Sequence, residues 1–96
     1  MAIIVVPRRM LAVLAQDNIG QIAQAIQANY PNDYYPLVSG QWLVVTTEGP
    51  KEFCDKLGIT NGTTGSAVVV AFTNYFGRAN PNIWEWITAK MGATLG

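Results

Sequence analysis

Short runs of β-forming residues are the first pattern visible along the chain. They occupy Ala2–Val6, Gln41–Thr47 and Ala67–Thr73. The run Gln41–Thr47 has a Ser-Gly pair before it and a Gly-Pro pair soon after it, which predicts a buried central strand. The run Ala67–Thr73 is apolar without interruption, and its composition predicts a buried strand instead of a helix.

A first amphipathic helix is predicted between these runs. It begins at Asp17-Asn18, because either side chain can accept hydrogen bonds from the free amides of a first helical turn. It ends near Asn29, because a Tyr-Pro pair follows. Its apolar stripe recurs every three or four positions, at Ile19, Ile22, Ala23 and Ile26.

Two further helices are each predicted between an opening proline and a closing glycine. The second helix begins at Pro50 and ends at Gly58. Opposite charges stand four residues apart on its exposed side, in the pairs Lys51–Asp55 and Glu52–Lys56. The third helix is capped by Asn80 and ends at Gly92. Its apolar face comprises Ile83, Trp84, Ile87 and Met91.

Two segments have less regular patterns. Met10–Ala15 fits a strand, a helical turn or the continuation of one bent strand, and its composition slightly favours the helix. Tyr34–Val38 predicts an extended strand, and Pro36 within it indicates an edge or irregular strand. A Ser-Gly turn joins this strand to Gln41–Thr47 as an antiparallel hairpin.

The order of the elements is strand, helix, strand, strand, helix, strand, helix. A βαββαβ order with a central hairpin is typical of an α+β, ferredoxin-like fold, in which an antiparallel sheet carries two helices on one face. The C-terminal helix is then expected to cover either an edge or the open face of the sheet. The length of 96 residues predicts a single domain, residues 1–96.

Composition adds an expectation about the surface. Half of the residues are hydrophobic, 12% are charged, and the net charge is zero. A neutral chain weakens the case for nucleic acid, because affinity for phosphate depends on many cationic contacts. Few charges leave uncharged surface, which favours self-association, and we expect a homodimer.

The sequence offers few signals of catalysis. The chain has no histidine, so the commonest general base and metal ligand is missing, and we expect no catalytic residue and no cofactor. Cys54 is the single cysteine, which suits a reducing cytoplasm. The loop Thr60–Ser66 lacks the lysine of a P-loop. No apolar run has the length of a membrane span, and the charges near the N-terminus follow the apolar run instead of preceding it, so we expect a cytoplasmic protein.

Three segments carry a resemblance to a known family. They are Tyr30-Pro31, Ser39–Thr47 and Trp84–Trp86, and within residues 17–88 the chain resembles the small bacterial proteins of the SinR family. That resemblance implies a ferredoxin-like fold similar to the small CRISPR adaptation subunit, a dimeric protein whose relatives include metal-dependent nucleases. Most proteins of this kind have no established activity that the resemblance could transfer.

The nuclease relatives raise the question of a metal ligand. They place an Asp at the end of the first strand, where two copies meet at the dimer axis to hold a metal. This chain departs from that pattern, because a first strand at Ala2–Val6 is followed by Pro7-Arg8. If Met10–Ala15 is the first strand, Asp17 is the nearest carboxylate. An Asp before an apolar helix is more often a cap, and we prefer that interpretation.

Cationic residues form one candidate binding group. Arg8 and Arg9 are adjacent and could bind phosphate. The cations that could assist them are Lys51, Lys56 and Arg78. The alternative is that two arginines beside a proline form a solvated turn, which is the commoner case.

Aromatic residues form the other candidates. Tyr75, Phe76 and Arg78 combine rings with a cation, a set that can stack a nucleobase or anchor a partner. Alternatively, both rings pack beneath the last helix. A second set, which could line an interface or close an edge of the core, comprises Tyr30, Tyr34 and Tyr35.

Three functions follow as hypotheses. The first is a non-enzymatic module that acts by association, as a homodimer. The second is a weak nucleic-acid-binding or metal-dependent nuclease-like protein of the CRISPR-subunit type. The third is a small protein that binds and inhibits a partner protein.

Overall fold

Four strands and three helices follow one another in residues 8–91, the part of the chain that the computed structural model describes. The strands are β1 (Arg9–Ala15), β2 (Tyr34–Pro36), β3 (Gln41–Thr46) and β4 (Ala67–Phe72). The helices are α1 (Ile19–Asn29), α2 (Pro50–Leu57) and α3 (Pro81–Met91). The predicted α+β class and element order are confirmed. The predicted strand Ala2–Val6 and the helix end at Gly92 lie outside the described residues.

The strands form one antiparallel sheet in the order β2-β3-β1-β4. The prediction of a central strand at Gln41–Thr47 is confirmed, because β3 lies between β2 and β1. Since all neighbours are antiparallel, β1 and β2 run parallel to each other on either side of β3. In the same way, β3 and β4 run parallel on either side of β1. Helices α1 and α2 make the two crossings.

The segment Met10–Ala15 belongs to β1, so it is a strand and not a helical turn. The alternative that it continues a bent strand from Ala2–Val6 involves residues outside the described part of the chain. Met10, Leu11 and Val13 are fully buried. The strand pairs with β3 on one side and β4 on the other. The strand has hydrogen-bonded neighbours on both sides and buried side chains on both faces. These interactions outweigh helix propensities that differ between ordinary residues by about 0.7 kcal/mol at most.

Helices α1 and α2 cover one face of the sheet. The core on this face comprises Leu11, Val13, Ile22, Ile26, Tyr30, Trp42, Val44, Phe53, Leu57 and Ile59. The predicted stripe of α1 is correct at Ile22 and Ile26, which are fully buried. Ile19, predicted in the same stripe, is instead 41% exposed. Its neighbour Gly40 has no side chain that could cover it.

Helix α3 packs on the opposite, open face of the sheet. Its Ile87 is buried against Met10, Leu43 and Val45. Trp86 packs on the ring of Tyr35, with the ring centroids 5.5 Å apart. Of the two positions expected for the C-terminal helix, the open face is therefore correct.

The start of α1 differs from the predicted cap. Asn18 is the N-cap residue, but it is left-handed, with φ of 48°, and its side chain makes no capping hydrogen bond. The carboxylate Oδ1 of Asp17 instead accepts the amide of Ser66 at 2.7 Å. The helix begins where predicted, but the capping interpretation is wrong, because Asp17 joins α1 to the segment before β4. The predicted cap of α3 is confirmed, since Oδ1 of Asn80 accepts the amide of Asn82 at 2.9 Å.

Strand β4 confirms the prediction of a strand at Ala67–Thr73, but the prediction that this strand is buried is wrong, because among residues 8–91 it lies at the edge of the sheet and has no fully buried residue. Within residues 8–91, its only neighbour in the sheet is β1. Val68 and Val70 are 51% and 46% exposed on the α3 face. The physical reason is that α3 packs near Met10 and Phe72, at the other end of this face.

Candidate association surface

The backbone of β1 alternates between its two neighbours. Antiparallel ladders bond successive residues to opposite sides. The amide of Ala15 donates to the carbonyl oxygen of Gly40 at 2.8 Å, beside β3. The amide of Gln16 donates to the carbonyl oxygen of Ser66 at 2.7 Å, beside β4. Odd-numbered residues of β1 therefore bond to β3, and even-numbered residues bond to β4.

The same alternation fixes which groups of β4 face outward. The register places Leu14 opposite Val68 and Ala12 opposite Val70. The backbone groups of Val68 and Val70 therefore point towards β1. The residues whose N–H and C=O groups point away from the sheet, at its open edge, are Ala67, Val69 and Ala71.

Exposed apolar side chains flank this edge on the α3 face. Leu14 lies beside Val68 in the register and is itself 36% exposed. We refer to Leu14, Val68 and Val70 as the uncovered patch. The six residues of β4 include no charged residue and no proline. The edge and the patch together form a continuous surface without charge.

The loop of residues 73–80 lies at the other end of β4. Tyr75 stacks on Trp84 with centroids 5.7 Å apart and meets Phe72 edge-on at 6.1 Å. Phe76 is fully exposed. A shallow cavity of about 200 Å³ is lined by Tyr75, Phe76, Gly77 and Trp84. The predicted aromatic set is thus divided, because one ring packs beside α3 while the other faces solvent. Arg78 is exposed on the same loop.

The predicted cationic group does not converge on one site. The guanidinium of Arg8 is 2.8 Å from Oδ1 of Asp33 and donates to the carbonyl oxygen of Lys90. Lys90 is 3.3 Å from the same carboxylate oxygen, so these contacts join the end of α3 to the residues that directly precede β1 and β2. The Arg9 guanidinium lies beside Gly49.

The two lysines of that group lie on α2, and each is paired with a carboxylate. Lys51 pairs with Asp55 at 2.9 Å, as predicted. Lys56 approaches Glu48 at 3.6 Å instead of the predicted Glu52. The reason is that its ammonium lies over the ring of Tyr30, 4.9 Å from the centroid, next to Glu48.

The three tyrosines proposed for an interface contribute to packing. Tyr30 is 6% exposed, and its ring stacks on Phe53 at 5.4 Å. Tyr34 packs against the core beneath α1 and α2. Tyr35 packs on the α3 side, against Trp86. Of the two roles considered for this set, closing the core is the one that these contacts support.

Two other candidates have local partners. Asp17, the candidate metal ligand, accepts the amide of Ser66. In residues 8–91, no three side chains of metal-binding type lie close enough together to hold an ion. Cys54 is half-buried, and burial raises the pKa of its thiol, with a further contribution from the nearby Asp55. A raised pKa lowers the thiolate fraction and hence the reactivity of the thiol.

The uncovered patch is the feature that the sequence interpretation missed. Its signal was present, since Ala67–Thr73 is a run of β-formers without charge or proline. Burial on both faces explains such a run equally well. A buried inner strand and an exposed edge strand differ in their position in the strand order. That position depends on the whole sheet and is not indicated by the residues of the run itself.

Comparisons with models of protein families, with curated proteins and with solved structures found no match to this chain. Within residues 8–91, no helix combines the length and the apolar character that crossing a bilayer requires.

Proposed function

We propose that this protein is a non-enzymatic association module that works as a homodimer, joined through the open edge of β4. One observation carries the proposal: a six-residue strand without charge or proline stands at the edge of the sheet beside exposed valines. An exposed apolar edge is a template for pairing with another strand, and natural proteins usually protect such edges.

The opposite edge of the same sheet is protected in the usual ways. β2 is three residues long and contains Pro36, which has no N–H to donate. A short edge strand with a proline offers few groups to an added strand. The contrast between β2 and β4 supports a specific role for β4, because a general tolerance of open edges would apply equally to both.

A ferredoxin-like fold belongs to this proposal. Strands β1 and β2 are parallel, with β3 between them, and α1 connects them. Strands β3 and β4 are parallel, with β1 between them, and α2 connects them. These are the two split βαβ units of that fold. The order β2-β3-β1-β4 and the helices α1 and α2 support it. Antiparallel sheets of this type can pair at an edge to continue across two subunits.

The nucleic-acid hypothesis has weaker support. Arg8 and the two lysines of α2 are each paired with a carboxylate, and the net charge of the chain is zero. Binding to a phosphate backbone would require several of these cations to be available together. The hypothesis of an inhibitor predicts that β4 pairs with a strand of another protein. This outcome can be distinguished from dimerisation by the mass of the isolated protein.

The test is the mass of the purified protein by light scattering coupled to size exclusion, measured with and without added divalent metal. We expect a dimer near twice the chain mass of 10.4 kDa at micromolar concentration. The mass should be the same in both buffers, because the edge of β4 contains no metal-binding side chain. A monomer in both buffers would contradict the proposal, and a dimer that appears with metal alone would favour the nuclease-like alternative.

A further inference from the structure

We infer that the second copy pairs β4 with β4 in antiparallel orientation about a two-fold axis at Val69, and that Phe76 of each copy covers the uncovered patch of the other. This inference rests on the proposed function and assigns its interface. It follows from the outward groups of β4, from the exposed side chains beside them and from the position of the loop of residues 73–80.

The register follows from the outward-facing groups. Two antiparallel edges can bond where an outward-facing residue lies opposite another outward-facing residue. With the axis at Val69, that residue lies opposite its own copy, and Ala67 lies opposite the partner's Ala71. All three outward-facing residues of both copies then pair. If the axis moves by one residue in either direction, one of the three outward-facing residues lies opposite a residue outside the partner's β4. Larger shifts leave two or more of them without a partner in β4.

The same register joins the exposed valines. Val68 then lies opposite the partner's Val70 on the α3 face, in a pair without mutual hydrogen bonds, where side chains approach most closely. Both valines are about half exposed in the single copy. The interface would therefore remove two apolar pairs from water while meeting no charge, since β4 has none.

The two-fold axis also explains the exposure of Phe76. Because the axis reverses the strand direction, the end of β4 at Phe72 lies beside the start of the partner's strand. The loop of residues 73–80 continues from that end and carries Phe76, whose ring is fully exposed. Among residues 8–91, the part of the α3 face without cover is at the start of β4, where Leu14 and Val68 meet. In the dimer, the Phe76 ring of each copy therefore covers the uncovered patch of the other copy, and the two-fold axis gives this contact twice.

A second copy fits this surface better than an unrelated strand does. The surface supplies both the ring and the patch, as an isologous interface requires. Its lack of charge brings no like charges together. The protected β2 edge stops further strand addition at the outer ends of the joined sheet, so the assembly closes at two copies.

The first experiment places a lysine in the interface and a matched lysine outside it. Val70→Lys puts a charge opposite the partner's Val68, and we expect the dimer dissociation constant to rise about tenfold or more. Val38→Lys is the control, because Val38 is 65% exposed and lies next to β2, at the other edge. Circular dichroism establishes that both variants fold. An unchanged dissociation constant for folded Val70→Lys would overturn the inference.

The second experiment tests the position of the axis. In a background with Cys54→Ala, Val69→Cys places each thiol opposite its own copy. Hydrogen-bonded antiparallel pairs have Cα atoms about 5.5 Å apart, which is within disulfide range. We expect mild oxidation to give a covalent dimer from Val69→Cys but little from Val38→Cys. Equal cross-linking of the two would overturn the register.

The third experiment tests the ring. Phe76→Ser is expected to weaken the dimer about tenfold, because aromatic anchors dominate interface energetics. An unchanged dimer would overturn the role given to Phe76. Loss of binding to a labelled single-stranded oligonucleotide, with an unchanged dimer, would assign the ring to nucleic acid instead.

The outcomes separate the two proposals. A monomeric wild-type protein contradicts the proposed function and this inference together. A wild-type dimer that survives Val70→Lys and resists cross-linking at Val69→Cys leaves the proposed function standing and contradicts this interface alone.

Discussion

At the scale of the residue, Tyr30 illustrates what spacing along the chain can and cannot predict. Its aromatic ring suited either a core or an interface, and the ring lies in the core against Phe53. Its hydroxyl donates a hydrogen bond to the carboxylate of Glu48, which the hydroxyl of Thr46 also contacts. The sequence does not indicate this partner, because the contact joins residues of different elements that only the folded chain brings together.

The contact between Tyr30 and Glu48 shifts the pKa of both side chains. Burial, reinforced by the hydrogen bond to Glu48, raises the pKa of Tyr30 well above its ordinary value near 10. The hydrogen bond from Tyr30 is the main cause that holds the pKa of Glu48 below its ordinary value. The depressed pKa of Glu48 stabilises the fold above the unfolded pKa, and this stabilisation is lost as the pH falls through the folded value. The raised pKa of Tyr30 stabilises the fold below about pH 10, and this is lost as the pH rises further.

Removing the hydroxyl tests this assignment. We expect Tyr30→Phe to lower the free energy of unfolding at neutral pH by about 1–2 kcal/mol, because it removes a hydrogen bond to a charged group. The loss of stability in acid should become smaller, and the loss above about pH 10 should largely disappear. Denaturant unfolding at acidic, neutral and alkaline pH measures both. Tyr34→Phe is the control, because within residues 8–91 the hydroxyl of Tyr34 makes no hydrogen bond to another side chain. Equal pH profiles for the two variants would contradict the assignment.

At the scale of the element, helix ends were easier to predict than strand environments. Pro50 begins α2, and Gly58 ends it with φ of 78°. Such signals are local, because a cap depends on residues within one helical turn. The environment of a strand depends on which strands lie beside it and what covers each face. For this reason β1 was ambiguous and β4 was predicted to be buried, although the β-forming character of β4 was recognised correctly.

Among the elements, α3 is the one whose contribution to the free energy of unfolding can be tested most directly. Ile87 is 1% exposed and is the anchor of this helix against Met10, Leu43 and Val45. We expect Ile87→Ala to lower the free energy of unfolding by about 2–5 kcal/mol, through lost burial and the cavity left behind. Denaturant unfolding measures this change. Thr88→Ala, at an exposed position of the same helix, should change stability by about 0.5 kcal/mol or less.

Hydrogen exchange distinguishes local release of α3 from general destabilisation. If α3 is anchored through Ile87, its amides should lose more protection in Ile87→Ala than those of α1 do. Equal loss in the two helices would mean that α3 does not detach as a unit, and would contradict its role as a separately anchored cover of the open face.

At the scale of the whole molecule, composition predicted an uncharged surface but did not locate it. The neutral, weakly charged chain suggested uncharged surface, and the edge of β4 with the uncovered patch is such a surface. The tyrosines proposed for the interface instead pack in the two cores. Composition reports how much apolar surface a small domain must expose, but the location of that surface depends on how far α3 extends across the sheet.

If the protein forms the proposed dimer through β4, its thermal stability depends on protein concentration. Mass action adds about 1.4 kcal/mol per mole of dimer for each tenfold increase in protein concentration, so we expect Tm to rise by a few degrees per tenfold step. The rise should persist at high salt, because the interface contains no charged side chain of β4 and screening has nothing to weaken there.

The matched lysine variants decide whether this dependence comes from β4. Differential scanning calorimetry over a concentration series should show the same rise for wild type and for Val38→Lys. For Val70→Lys, the rise should be displaced to concentrations about tenfold higher or more, so its Tm should be lower than that of Val38→Lys at each concentration. Coincident curves for all three proteins would contradict an interface at β4. A rise that vanishes with added salt would mean that charged residues outside β4 hold the copies together, with Arg8, Asp33 and Lys90 at the end of α3 as the first residues to substitute.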